Sequence, residues 1–146
     1  MTRAGFFARF VAFLVDNIAL SILAWVLGAL VAPLFAGVAA TGIPILSWVA
    51  AGFSILTLLI LPFFQFFYFG WMWSRPSGQS YGMRFLNIRV TRRDGSGLGF
   101  WRAALRGTVG YWLSGLVFGL GFLWAAIDSR KEAWHDKLFD TGVVVA

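Results

Sequence analysis

The sequence predicts an all-α integral membrane protein: two long transmembrane helices, then a third span or a returning helical hairpin, with a small cytoplasmic β-strand pair. Three observations lead there. Apolar residues make up 60% of the 146-residue chain, before its 17 glycines are counted. Charged residues make up 12%, about half the roughly 25% usual for a soluble domain. From Asn17 to Ser74 there is no Asp, Glu, Lys, Arg or His, a stretch more than twice the about 20 residues that one span requires. These figures exclude an ordinary cytosolic enzyme, a disordered tail and a nucleic-acid binder with a water-facing basic surface.

The uncharged stretch divides at Pro33 to Pro44, where Gly37, Thr41 and Gly42 punctuate it. Helix one is expected over residues 6–32 and helix two over 45–73. At about 1.5 Å per residue, helix two is longer than a hydrocarbon core of about 30 Å. Tilt or a kink at Pro62 absorbs the excess. Tyr68, Trp71 and Trp73 read as an interfacial belt at its end. A secretory signal is rejected, because Asp16 interrupts the apolar run and the run is too long.

The segment from Arg75 to Arg106 holds seven arginines and a single acid, Asp94. Short loops rich in Lys and Arg stay in the cytoplasm. Arg75, Arg84, Arg89, Arg92, Arg93, Arg102 and Arg106 are therefore candidate contacts for lipid headgroups, and no nucleic acid is expected as a partner. Residues 1–146 read as a single membrane domain, with this basic loop over residues 75–100. Ile88 and Val90 alternate with Asn87, Arg89 and Thr91, the period of a strand. Asp94-Gly95 signals a turn, and Ser96 is a candidate cap for the helix that follows.

A third helical segment is expected over residues 101–127. Gly107, Gly110, Gly115, Gly119 and Gly121 interrupt it, so it is either one span or a pair of shorter helices that turn back. Gly115 and Gly119 form one Gly-x-x-x-Gly, a pattern that suits close helix approach. The β-branched run Val143 to Val145 needs a strand partner. Its candidate partner is Ile88 to Thr91, which favours the returning hairpin.

Arg9 and Asp16 are the informative charges. Seven residues on one helix put them on one face, about 10.5 Å apart along the axis. A carboxylate inside a span costs roughly 2.5–3.5 kcal/mol and needs company. The expected partners are an arginine of the later segments for Asp16 and a tail acid for Arg9. Two roles are open: a structural clamp, or a proton or ion site at Asp16.

The juxtamembrane tail, residues 128–146, carries Glu132, His135 and Asp136, which share a face if helical. A single Glu-x-x-His does not make a di-metal site. Ser129 has no nucleophile elbow around it. Cysteine is absent and His135 is the sole histidine. No catalytic residue, metal or cofactor is expected.

Ala8-Arg9-Phe10-Val11-Ala12 followed by Val15-Asp16 resembles the opening of the RDD family of small bacterial membrane proteins. Gly78-Gln79-Ser80-Tyr81-Gly82-Met83-Arg84 is similar to a second family motif, with Met83 where lysine is usual. Trp134-His135-Asp136-Lys137-Leu138, with Thr141-Gly142-Val143-Val144 after it, is similar to the family's close, with Gly142 where valine is usual. The resemblance implies that Arg9, Asp16 and Asp136 are the arginine and two aspartates of the family name. A multi-pass protein of the bacterial cytoplasmic membrane is expected, with a cytoplasmic N-terminus because Arg3 and Arg9 lie on the same side as the basic loop. The functional implication of the resemblance is broad: transport of unidentified ligands, or cation/proton exchange. Two functions are carried forward. One is an ion- or proton-linked transport component working as an oligomer. The other is an accessory subunit of a larger membrane complex.

Overall fold

The computed structural model describes residues 2–146. It is mostly helical, with one long apolar helix and one two-stranded sheet. The chain divides into two compact units, residues 18–64 and the remainder.

Helix α1 (Phe6–Ala39) runs straight through Pro33 and ends at Thr41-Gly42, where Gly42 adopts φ +70°. The helix was expected to stop at residue 32. Proline removes one intrahelical hydrogen bond, but no polar turn residue follows until Thr41, so the helix continues. Among the described residues, α1 is the one unbroken helix long and apolar enough to cross a membrane.

The expected helix over 45–73 is two helices, α2 (Pro44–Leu58) and α3 (Ile60–Ser74), divided at Leu59. Pro62 accounts for the position of the break. A proline ring clashes with the carbonyl four residues earlier, which is that of Leu58, the last residue of α2. Within residues 18–64 the side chains are mainly exposed and apolar, Trp25 and Trp48 among them.

The second unit holds the rest. Ser80 caps the short α4 (Tyr81–Phe85), its Oγ accepting from the Met83 amide at 3.4 Å. Strand β1 (Ile88–Arg92) turns Ile88 and Val90 inward. A helix runs from Phe100 to Leu116 as α5 (Phe100–Leu105), one π-helical turn (Arg106–Gly110) and α6 (Tyr111–Leu116). Gly99, and not Ser96, precedes it as the cap residue; Ser96 is instead tied back to Asp94 in the turn. After a bend of 91° comes α7 (Leu120–Ile127). Gly119 sits in that bend at φ +74°, a left-handed conformation that suits glycine. It is therefore a turn glycine, and the Gly115/Gly119 pair does not form a helix-packing face.

The tail forms α8 (Trp134–Leu138) and β2 (Thr141–Val145). Strands β1 and β2 pair antiparallel, Ile88 opposite Val145 and Val90 opposite Val143, as the β-branched run predicted. Arg3 bridges to Val144 on the far side of β2, and the Ala4 amide donates to the Val143 carbonyl at 3.0 Å. Three distant stretches of chain thus meet in one sheet.

Candidate functional site

Two buried carboxylates organise the unit, in opposite electrostatic settings. Asp136 lies at the start of α8, where its Oδ2 accepts from the Ala133 amide at 3.1 Å. The same oxygen accepts from Arg9 Nη1 at 2.7 Å. Its Oδ1 accepts from Arg106 Nη2 at 2.6 Å and from Thr141 Oγ1 at 3.3 Å. Arg9 also donates to the Ala4 and Val143 carbonyls, and Arg106 Nε to Thr141 Oγ1. The cluster fastens α1, the π-helical turn, α8 and β2. Burial pushes the Asp136 carboxyl up, and the opposing charges of Arg106 and Arg9 outweigh it, holding the carboxyl well below the usual carboxylate range.

Among the described residues, no guanidinium bonds Asp16. Tyr68 donates to its Oδ1 at 2.6 Å and the Gly82 amide to the same oxygen at 2.8 Å. Ser80 Oγ donates to Oδ2 at 2.5 Å. The expected arginine partner is replaced by two hydroxyls and an amide, because Ser80 and Gly82 stand at the first turn of α4 as it passes α1. That approach is close: a methyl group on Gly82 would strike the Ala12 carbonyl oxygen. One residue on, Asn17 Oδ1 accepts from Gln65 at 2.7 Å, and Gln65 accepts from Trp112 at 3.3 Å. Arg9, expected to pair with a tail acid, does so. It takes no part in the shell of Asp16.

Of the candidate headgroup arginines one faces inward and others are engaged by the protein itself. Arg106, a candidate headgroup contact, is 1% exposed and lies over the Trp73 ring at 4.6 Å. The π-helical turn begins at Arg106, and its carboxylate partner lies inside. Arg93 bridges Glu132 at 2.9 Å and Asp140 at 3.2 Å. Arg102 donates to the Phe139 carbonyl at 3.3 Å. Arg75 and Arg84 are exposed over the rings of Trp71 and Tyr81, and Arg89 and Arg92 are half-buried. Of the expected aromatic belt, Trp71 faces outward, Tyr68 binds Asp16 and Trp73 is fully buried.

Glu132, His135 and Asp136 do not converge. Glu132 takes Arg3 at 3.3 Å as well as Arg93. His135 Nδ1 meets Ser114 Oγ at 3.0 Å, and its Nε2 faces Asp136 at 3.7 Å. Burial, with smaller contributions from Arg106 and Arg9, brings the imidazole down to about 3, so it is neutral. Ser80, Tyr68, Arg106, Ser114 and Thr141 were not foreseen in these roles. Ser80 alone carried a local signal, a serine one turn ahead of a short helix.

The RDD family model matches residues 3–140, nearly the whole chain. The chain belongs to the RDD family. That family is made up of small membrane proteins, and this is one. "Uncharacterized protein YxaI" of Bacillus subtilis (strain 168) is 27% identical over 149 residues, covering 97% of this chain and 96% of that protein. No solved structure matches. In this RDD protein, Arg9 and Asp136 join through direct contact, while Asp16 occupies a separate, uncharged shell.

Proposed function

We propose that this RDD protein is a non-enzymatic, multi-pass component of the bacterial cytoplasmic membrane in which Asp16 takes up and releases a proton, linked to movement of an ion or small solute. The contrast between the two buried carboxylates carries the reading. Protonating Asp136 would strand Arg9 and Arg106 away from water, a cost of several kcal/mol on the order of that for a broken buried ion pair. Protonating Asp16 strands no cation. Gly82 N–H can only donate, so Oδ1 stays an acceptor. Oδ2 can carry the proton, and the Ser80 hydroxyl has only to turn and accept it.

The sheet supports a topology for this reading. Residues 3–4 and 88–92 both pair with 141–145, which supports one shared side of the bilayer for all three. The arginines of residues 75–106 argue for the cytoplasmic side. On this reading residues 100–127 enter and leave on the same side, the 91° bend and the exposed Leu116 and Phe118 supporting a tip that dips into the bilayer. Helices of so short a chain enclose little by themselves, so transport calls for several copies or a larger complex.

The test is reconstitution into vesicles with a pH-sensitive dye. The intact protein should move protons in a cation-dependent way, and Asp16→Asn should abolish that movement while retaining thermal stability close to the parent. Silence from intact, folded protein would overturn transport and leave the accessory-subunit reading, whose mark is a fixed protein partner retained in mild detergent.

A further inference from the structure

A cavity of about 270 Å³ opens beside the ionic cluster. Its lining is almost wholly apolar, with Phe10, Phe13, Phe122 and Leu123 along the walls. Phe118, 98% exposed, marks the mouth, and Arg106, 1% exposed, marks the depth. Apolar walls favour an apolar occupant over water.

Two features of the Arg106 end point to an anion. The first is a count of charge. Arg9 and Arg106 share one carboxylate, Asp136, and His135 beside them is neutral. Within the hydrogen-bonded cluster, then, two guanidiniums face one carboxylate. Glu132 is occupied by Arg3 and Arg93, and Asp16 makes no ion pair with either guanidinium among the described residues. The second is a free donor. Arg106 uses Nε on Thr141 and Nη2 on Asp136 and packs against the Trp73 and Tyr111 rings, while its buried Nη1 makes no hydrogen bond among the described residues. A charged donor buried without an acceptor is costly.

We propose that this cavity binds an anionic amphiphile: one apolar chain ending in a carboxylate or phosphate, the head on Arg106 and the chain along Phe10, Phe122 and Leu123. The volume suits a single chain of medium length. The apolar walls select the chain, and the guanidinium selects the head. The site is separate from Asp16 and does not depend on its titration.

The experiment uses the full chain in phosphatidylcholine nanodiscs, titrated calorimetrically with decanoate, decyl phosphate and decanol against empty discs. The anions should saturate at one per protein and bind about tenfold tighter than decanol, the preference a charge-assisted hydrogen bond supplies. Leu123→Trp, which fills the cavity from a partly exposed position away from the ion cluster, should weaken all three. In discs doped with phosphatidylglycerol, native mass spectrometry separates the sources. One retained phosphatidylglycerol, displaced by decanoate, identifies a lipid as the occupant. Anion binding without retained lipid identifies a free amphiphile. Decanol binding as tightly as decanoate overturns the proposal, as does the absence of any saturable anion or retained phosphatidylglycerol.

Discussion

Arg9 and Asp136 stand 127 positions apart in the sequence and 2.7 Å apart in space. With Arg106 on the other carboxylate oxygen, they fasten the start of α1 to the π-helical turn and the tail. The contact is buried, so its strength shows most when one member is removed.

Asp136→Asn should lower stability by about 3–5 kcal/mol, because it leaves two guanidiniums buried without a counter-charge. Thermal denaturation in a mild detergent measures it. Combining Asp136→Asn with Arg9→Gln should cost less than the sum of the two, since both remove the same pair.

His135 sets the pH dependence. Its folded-state value is pushed down to about 3 by burial, against an unfolded value of about 6.5. Between these the unfolded chain binds the extra proton, so stability is full above about 6.5 and falls as pH drops toward 3, by up to about 1.4 kcal/mol per pH unit. Asp136, also depressed in the fold, adds its own loss only as pH falls below about 4. Melting temperature should decline from neutral pH to pH 5 in the parent. It should stay nearly flat in His135→Gln, which keeps a partner for Ser114.

Gly82→Ala should destabilise by about 1–3 kcal/mol, since its methyl group meets the Ala12 carbonyl oxygen and forces α4 from α1. It should also stretch the Gly82–Asp16 bond and so reduce any Asp16-dependent proton movement. Ser80→Ala, which adds no bulk and removes the donor to Oδ2, should spare the fold more and lower proton movement comparably. Denaturation and flux measured side by side separate the two effects.

How much of this was legible in the sequence depended on the kind of signal. The uncharged run from Asn17 to Ser74 announced the long apolar helix, because the hydrophobic requirement is written in composition. The pairing of Val143 with Val90 was legible because a short β-branched run needs a partner and one candidate existed. The exit of Arg9 to a tail acid followed from charge balance. The partners of Asp16 did not, because hydroxyls and amides leave no charge pattern; only packing of α4 against α1 selects Ser80 and Gly82. Arg106 looked like the six other arginines of its segment. A π-helical turn set its direction, and periodicity does not reveal where such a turn falls.

The most direct measurement of the account is sidedness. The chain has no cysteine, so Thr2→Cys and Ala146→Cys can be introduced singly without background. A membrane-impermeant maleimide should label both in inside-out vesicles and neither in right-side-out cells. Labelling of the two positions from opposite faces of the membrane would contradict the shared sheet, the buried Arg9–Asp136 contact and the proposed re-entrant path of residues 100–127 together.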